Sequence, residues 1–504
     1  MSMTMAEILT RLTSLPPRSQ SPHGVHNEKY DSQIRDLISY LKQPGKPSDI
    51  ANASQYLLDN LDPSEHSLSY LYVLNYRIQS IQNNTKNILP DDVLPGGNSW
   101  GWAVLFLQQF DPIQMRYAGQ EWRNIVHLVS QAALAVSKPL LAVQIMKDSI
   151  LKIDPRSRVF TSIHLVFVRL CLLSNSYGHA LPVLDRQIYL FPTTTGQAYQ
   201  RHHRHLPCAV HEPSDALIDE NADFSSKLTY RDCLQYLLYG SMVYMALKQW
   251  SKAQHCLSMV IASPVTNSVS KIMVEAYKKW ILVSLLGHGR LTPEPGIIAS
   301  HVTRIYQSLT KPYASVAEAF ERGDYRGLIA EIEIAQSVWC MDNNLGLVSQ
   351  VIRAFPKFMV TKLGKTFCAL TMQDVAHRVS GCLPSSGIEQ FVACTIMSNM
   401  LDAVLLHPRN NDDHSMLRLA RGAKSRLPQE RRVQCQLILA DQSFQVLADT
   451  VNQSNVELDL GNDHFQFLQK TQRWVDHSGK IGRSFPAGNA NAADADEDIM
   501  SDLH

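Results

Sequence analysis

Apolar residues recur every three or four positions through most of the first 340 residues, which is the spacing of one face of an α-helix. Loops rich in proline, glycine and asparagine separate these stretches. Residues 1–120 are predicted to form N-terminal helices, one of which runs through Ile34, Leu37 and Leu41. The pattern therefore predicts a chain that is mostly α-helical.

A repeated unit is visible in residues 121–340. Ala142, Ala180 and Ala253 each follow an apolar helix and a short turn, and each leads into a second helix. The first interval is 38 residues and the second is 73, but the second contains the polar stretch 193–227, which is 35 residues long. Without that insertion the intervals are equal. Any two helical hairpins can look similar, so their similarity alone does not indicate a repeat. The equal interval does, and it predicts a solenoid of TPR-like helical repeats.

The pattern changes in residues 341–420, where three helical stretches precede two short apolar runs. Thr371 is the predicted N-cap of the second helix, with the acidic Asp374 three residues later. The runs 403–406 and 416–419 flank a turn rich in asparagine and aspartate, as in a β-hairpin. Three helices followed by a hairpin predict a winged helix.

Residues 427–475 are predicted to form C-terminal helices, and the acidic segment 478–504 a disordered tail. Six apolar residues stand at alternating spacings of four and three, which is the heptad pattern of helices that pack against other helices. This seam consists of Val433, Leu437, Ala440, Phe444, Leu447 and Val451. A single seam can also pack back onto its own domain, and the sequence leaves both possibilities open.

Charge distinguishes the two common uses of a winged helix, DNA reading and protein assembly. A DNA-reading third helix needs basic or amide side chains that reach bases and phosphates. Residues 385–400 contain no Lys or Arg and one acid, Glu389. A basic cluster follows the hairpin, and it is either a solvated linker or a patch for an acidic partner or RNA: Arg418, Arg421, Lys424, Arg426, Arg431 and Arg432. We therefore predict an assembly module, with nucleic-acid binding as the less favoured function.

Composition fits this interpretation. The chain has 504 residues, 45% of them hydrophobic, and a net charge of +1, which gives no general attraction to nucleic acid or anionic membranes. Nine cysteines are scattered without a C-x-x-C pair, as is usual in a reducing compartment. We expect no signal peptide, no membrane span and no membrane contact.

The strongest candidate for catalytic chemistry is a histidine cluster within the insertion, comprising His202, His203, His205, Cys208 and His211, with Asp215 after them. Two imidazoles and a carboxylate can hold a catalytic zinc, as in metalloisopeptidases. Nine residues separate His205 from Asp215, where that motif has ten, and no strand holds the ligands in place. We expect a solvated loop here, and buried structural thiols at Cys171 and Cys256. The sequence predicts no catalytic, metal-binding or cofactor-binding residue and no cofactor.

A helical-repeat stack that leads into a winged helix and C-terminal helices resembles the PCI-domain family, which is found in the proteasome lid, translation initiation factor three and the COP-nine signalosome. Several stretches are similar to the family of third signalosome subunits in particular. They lie at residues 61–62, 65–68, 161–164, 170–173, 180–185, 275–285, 342–348, 365–367 and 373–376.

The resemblance implies a non-catalytic scaffold subunit of the complex that removes a ubiquitin-like modifier from the cullins of cullin-RING ubiquitin ligases, in cytoplasm and nucleus. Its partners would be other PCI-domain subunits, bound through the C-terminal seam and through the hairpin residues Val404, Leu405, Leu406, Met416, Leu417 and Leu419. The chain departs from the family pattern in its insertion, in its tail, and at Pro356, which should interrupt and kink the first helix of the winged helix. A lid or initiation-factor subunit, a nucleic-acid-binding winged helix and a zinc hydrolase are the alternatives.

Overall fold

The structure is a computed structural model that describes most of the chain. The described residues are 5–15, 26–85, 89–155, 159–186, 188, 218, 223–264, 269–379, 387–397, 401, 403–407, 415–419, 433–434, 437–445, 447–448 and 451. They belong to two compact units, one formed by described residues between 5 and 419 and one by those between 433 and 451.

The first part of the larger unit is helical, as the sequence pattern predicted. Ile34, Leu37 and Leu41, which that pattern placed on one face of a helix, are all buried. The helices are α1 (Met5–Leu12), α2 (His26–Leu41), α3 (Lys46–Asn60), α4 (Ser67–Thr85), α5 (Asn98–Gln109) and α6 (Pro112–Met115), with a 3-10 turn at Asp91–Val93.

The repeat region follows without a break in the core. One continuous set of buried apolar side chains runs from Ile8 to Val243, and so crosses the boundary that the sequence analysis placed at residue 120. The helices are α7 (Gly119–Ala135), α8 (Leu140–Ile153), α9 (Ser162–Leu173), α10 (Tyr177–Leu184), α11 (Tyr230–Ala246), α12 (Trp250–Ile261), α13 (Lys271–His288), α14 (Ser300–Leu309), α15 (Lys311–Arg322), α16 (Tyr325–Ile334) and α17 (Gln336–Met341).

Five turns between these helices share one backbone geometry. Each has one residue in the left-handed region, with φ between 53° and 81°: Ser137, Asn175, Lys248, Gly323 and Asn343. The N–H of this residue donates to the carbonyl three positions earlier, and the next N–H donates to the carbonyl five positions earlier. This is the Schellman motif, which satisfies carbonyls left unpaired at a helix end. The first three turns are 38 and 73 residues apart, the same intervals as those between the alanines.

The alanines of the predicted repeat lie where paired helices approach each other. Ala142, Ala180 and Ala253 have no exposed surface. A larger side chain at these positions would push neighbouring helices apart, because protein interiors are close-packed. The helical-repeat prediction is confirmed by both the shared turn and the buried alanines.

The insertion at 193–227 lies mostly outside the described residues, but its described end is packed into the core. Phe224 is 2% exposed, and its ring centroid lies 5.8 Å from that of Trp122. The hydroxyl of Ser225 accepts a hydrogen bond from the N–H of Ser162 at 3.0 Å. This end of the insertion is therefore an anchored segment, whereas the histidine cluster predicted to be a solvated loop lies outside the described residues.

The winged helix consists of α18 (Leu345–Thr366), β1 (Ala369–Thr371), α19 (Met372–Val379), α20 (Ile388–Met397), β2 (Ala403–Leu406) and β3 (Met416–Leu419). The strands form an antiparallel sheet in the order β1-β3-β2. The predicted hairpin is present, whereas β1 was not predicted because three residues are too few for a visible alternation. The predicted cap of α19 is confirmed, since the Asp374 N–H donates to the Thr371 hydroxyl at 3.1 Å.

Helix α18 is shared by two hydrophobic cores. Val348, Val351 and Phe355 in its first half pack with the repeat helices, and Val360 in its second half packs with the winged helix. The helix is continuous through Pro356, which corrects the predicted interruption. Proline removes one backbone hydrogen bond, but packing of the flanking turns against both cores offsets that loss.

A buried polar network fixes the start of α18 against the repeats. Asn344 is fully buried, and its Oδ1 accepts from the Lys279 ammonium at 2.9 Å. The Asn344 Nδ2 donates to the hydroxyl of Tyr313 at 2.8 Å. Lys279 also forms an ion pair with Glu275 on its own helix. One asparagine therefore joins α13 and α15 to the first turn of α18.

A second carboxylate completes this network. Asp342 accepts from the Lys278 ammonium at 2.6 Å and from the Tyr313 hydroxyl at 2.7 Å. Burial raises the pKa of Tyr313, so its hydroxyl stays neutral and can donate to Asp342 while it accepts from Asn344. Each buried polar group of the network thus has a partner, which is the condition for such groups to stabilise a fold.

A buried histidine caps the start of α9. The N–H of Thr161 donates to the Nδ1 of His164 at 3.2 Å, and the two side chains form a capping box. The ring lies between Phe160 and Tyr236, and its Nε2 is buried with no hydrogen-bond partner among the described residues. Burial lowers the pKa of His164 to about 4, so the imidazole is neutral at physiological pH.

We predict that Asn344→Ala lowers the free energy of unfolding by about 2–4 kcal/mol, because it leaves the Lys279 ammonium and the Tyr313 hydroxyl buried with fewer partners. Asn343→Gly is the matched control next to it. Because Asn343 has φ of 54°, glycine there should keep or raise stability by about 0.5–1 kcal/mol. Denaturant unfolding of the full chain measures both effects. Equal stability of the two variants would contradict this role of the network.

We predict that the free energy of unfolding falls as the pH is lowered, because His164 becomes protonated. The folded pKa of about 4 lies below the ordinary value of 6.5, so the contribution is complete above pH 6.5 and is lost as pH falls toward 4. The loss amounts to about 3 kcal/mol, at about 1.4 kcal/mol per pKa unit. His164→Gln keeps a capping side chain but does not titrate, so its stability should fall less. His301 is exposed, so the stability of the control variant His301→Gln should depend on pH as that of the unmodified chain does. Identical pH profiles for all three proteins would refute the prediction.

Candidate partner interface

The outer face of the winged-helix sheet presents apolar side chains to solvent. Val404 is 52% exposed, Leu406 is 47% exposed and Met416 is 41% exposed. Leu406 pairs with Met416 across the strands, and Val404 pairs with Arg418, so these four side chains share one face of β2 and β3. Three neighbouring aliphatic side chains on one exposed sheet face are a feature of protein interfaces.

The other predicted hairpin residues lie on the opposite face, which corrects the set derived from sequence. Leu417 is fully buried, Leu419 is 5% exposed, and Leu405 is partly buried against the same core. They pack with Val360 and Val392 inside the winged helix. Because successive residues of a strand point to opposite faces, an apolar run in a short hairpin supplies both a core and a surface.

The C-terminal seam belongs to the second compact unit, and its described residues are helical at 433–434, 437–445, 447–448 and 451. All six predicted seam residues are exposed: Val433, Leu437, Ala440, Phe444, Leu447 and Val451. Phe444 is 69% exposed, and Ile438 and Leu439 beside the seam are exposed as well. A helix with this much open apolar surface gains stability when another helix covers it.

Helix α20 occupies the position of a DNA-reading third helix but carries no cation. Ile388, Val392 and Thr395 are buried on its inner face. The one charged residue on α20 is Glu389, whose carboxylate lies 3.4 Å from the His407 ring. This helix therefore has no cationic side chain for phosphate contacts. Arg421 to Arg432 of the basic cluster lie outside the described residues.

The two cysteines predicted to be structural, Cys171 and Cys256, are held in their protonated form. Cys171 is fully buried, and burial raises its pKa to about 12. Burial likewise raises the pKa of Cys256 to about 11. The thiolate is the nucleophilic form of cysteine, and at neutral pH almost none is present at such pKa values.

The described residues contain neither a cluster of metal ligands nor a helix that could cross a membrane. The histidine cluster from His202 to Asp215 lies outside them, and within them no group of three or more His, Cys, Asp or Glu residues is placed to hold a metal ion. Among the helices that the structure describes, none combines the length and apolar character that crossing a membrane requires.

The repeat region matches a family of known proteins. Residues 31–302 fit the family model described as COP9 signalosome complex subunit 3, N-terminal helical repeats. The matched residues include the turns at Ser137, Asn175 and Lys248 and the three buried alanines.

Three relatives are similar over larger parts of the chain. The chain is 45% identical over 502 residues to COP9 signalosome complex subunit 3 of Emericella nidulans, across 99% of this chain and 100% of that protein. It is 24% identical over 525 residues to the protein of the same name from Neurospora crassa, across 98% and 99%. The Dictyostelium discoideum protein of that name is 28% identical over 338 residues, across 67% and 70%.

Proposed function

Because this chain belongs to the COP9 signalosome complex subunit 3 family, we propose that it is a non-catalytic scaffold subunit of a COP9 signalosome. Its work is to hold other subunits in place by offering surfaces to them. The observation that carries this proposal is the exposed aliphatic face of Val404, Leu406 and Met416, built on a winged helix that is fixed to the repeats.

The rival assignments are less well supported. The three named relatives are all subunit 3 of the signalosome, and none is a proteasome-lid or initiation-factor subunit. A nucleic-acid-binding winged helix would require cations on α20, where the described residues have none. A protein scaffold is therefore the function that the surface chemistry favours.

The partners that we propose are the other PCI-domain subunits of the complex. The sheet face of β2 and β3 supplies one contact and the seam from Val433 to Val451 supplies another. Through the assembled complex the chain would act indirectly on cullin-RING ligases, by supporting removal of a ubiquitin-like modifier from cullins. We propose that it does so in both cytoplasm and nucleus.

We predict that Val404→Asp combined with Leu406→Asp removes the chain from the complex. Charges placed on a face that becomes buried remain without partners, and each costs several kcal/mol. Both side chains point away from the winged-helix core, so circular dichroism should show unchanged helix content. The measurement is quantitative mass spectrometry of the proteins that co-purify with the tagged full-length chain.

The matched control for this hairpin variant is Leu173→Asp, because Leu173 is also an exposed leucine, at 55%, but lies at the end of α9. We expect this control to co-purify normally with the complex. Normal incorporation of the hairpin variant, at the level of the control, would exclude the outer face of the sheet as an interface.

We predict that Phe444→Asp combined with Leu447→Asp also abolishes incorporation while the repeats stay folded. The two residues lie on the seam, and a charge there opposes its burial against another helix. Gln442→Asp lies on the same helix outside the seam, and it serves as the control for added charge. Co-purification of the seam variant with a full set of subunits would show that the seam is not a contact with other subunits.

A further inference from the structure

A cavity lies at one edge of the repeats, where the turn between α11 and α12 meets the end of α13. Its volume is about 520 Å³, which is within the range of cavities that bind ligands. None of its lining residues belongs to the sheet face or to the seam that we propose as contacts with other subunits. The side chains and backbone that line it include Lys248, Trp250, Ser251, Lys252, Gly287 and His288.

The walls of this cavity are held in place by close packing and by hydrogen bonds. A Cβ atom on Gly287 would lie 3.1 Å from the Cβ of Trp250, so a larger residue there would crowd α12. The His288 ring is fixed because its Nε2 donates to the Gln254 Oε1 at 2.9 Å. The Gln254 amide in turn donates to the Thr292 hydroxyl at 2.5 Å. The cavity is therefore preformed.

The cavity is cationic, but its net charge is small. Lys248 has no ion-pair partner among the described residues, whereas Lys252 forms an ion pair with Asp185 at 2.8 Å. The Asp185 carboxylate also accepts from the Tyr244 hydroxyl at 2.9 Å. Two ammonium groups and one carboxylate leave a net charge of +1, with His288 counted as neutral. This charge matches one carboxylate, whereas a polyphosphate would bring several negative charges close to Asp185.

The segments that form the cavity contain no acid that could compete for Lys248. Residues 246–255 and 286–290 include two lysines, one arginine and two histidines, but no Asp or Glu. Glu321 approaches the next residue after the second segment, where its Oε1 accepts from the Leu291 N–H at 2.6 Å. The exposed ammonium of Lys248 is therefore open to an anion from outside the chain.

We propose that this cavity binds a carboxylate of an extended peptide segment, from a protein that docks reversibly on the assembled complex. The Lys248 ammonium holds the carboxylate through a charge-assisted hydrogen bond, and the Ser251 hydroxyl donates a second bond. The partly buried ring of Trp250 contacts an aliphatic side chain next to the acid. Because one exposed charge pair contributes little free energy, the affinity is modest and the partner can dissociate.

The number of free cations favours a protein over a nucleic acid as this partner. Binding of a nucleic-acid backbone requires several cations that neutralise successive phosphates. Of the two lysines that line the cavity, Lys252 is already paired with Asp185. This role goes beyond holding subunits in place. Because the first test uses the purified full-length chain alone, its failure would leave the proposed scaffold function untouched.

The first test is fluorine NMR of the full-length chain labelled with fluorotryptophan, in which the Trp250→Phe variant assigns the Trp250 signal. The peptide Ac-Leu-Asp-Leu-NH2 should shift this signal saturably, and Ac-Leu-Asn-Leu-NH2 should bind about tenfold more weakly because it lacks the charge. Ac-Leu-Gly-Leu with a free carboxyl terminus distinguishes a terminal from a side-chain carboxylate, and binding of either carboxylate peptide supports the proposal. No shift with either of them, equal binding of the asparagine peptide, or tighter binding of inorganic phosphate would overturn it.

A charge reversal in the same labelled chain tests the role of Lys248. Lys248→Asp should weaken binding of the carboxylate peptide about tenfold or more. Aspartate suits this position because its φ of 58° lies in the left-handed region, which Asp adopts more readily than most residues. Lys271→Asp is the matched control, since Lys271 is also exposed but lies about 26 Å along α13 from His288. The control should bind within about twofold of the unmodified chain, and equal affinity of the two variants would overturn the proposal.

The second test identifies the partner in the assembled complex. Benzoylphenylalanine in place of the exposed His255, one turn after Ser251 on α12, should cross-link on irradiation of cells to a protein that is not a constitutive subunit. The cross-linked segment should contain Asp or Glu, and Lys248→Asp in the same chain should remove the cross-link. The absence of a cross-link, a cross-link to a constitutive subunit or to nucleic acid, or one that persists with Lys248→Asp would overturn the proposal.

Discussion

The architecture depends on one helix being packed into two cores. The first half of α18 completes the core of the repeats, and the second half begins the core of the winged helix. Helix α18 fixes the orientation of the winged helix relative to the repeats, because rotating the winged helix would displace Val348, Val351 and Phe355 from close-packed contacts in the repeats. The orientation of the exposed sheet face is therefore set by the solenoid, which is what a scaffold requires.

The polar network at the start of α18 constrains the orientation of this helix further. The hydrophobic effect has no preferred direction, whereas the hydrogen bonds of Asn344 to Lys279 and Tyr313 are satisfied in one geometry. Removing a partner from such a buried site costs more than the bond itself contributes. The network thus specifies how the first turn of α18 lies against α13 and α15, and the two cores then hold the rest.

Much of this fold could be predicted from local sequence. The repeat interval is encoded by small residues and by turns that need a left-handed residue, and the cap of α19 is encoded by Thr371 and Asp374. What could not be predicted depends on distant contacts. Lys279 and Asn344 are 65 residues apart, and Phe224, within the insertion, packs against the distant Trp122. Strand β1 is recognisable only through its pairing with β3.

The candidate interface shows the same limit at the level of single residues. The hairpin was predicted as an apolar surface, but the pattern did not say which side of each strand faces the core. In the paired strands β2 and β3, Leu417 and Leu419 face the core, whereas Val404, Leu406 and Met416 face outward. The seam was predicted from spacing alone, and its exposure in the second unit makes it a surface that another helix can cover.

The central claim is that this chain functions through surfaces that partners cover. Hydrogen–deuterium exchange of the full-length chain, free and within the purified complex, tests it most directly. We predict new protection in residues 403–406, 416–419 and 437–445 on assembly, with exchange in the repeat turns unchanged. Equal exchange in these three segments in both states would contradict it.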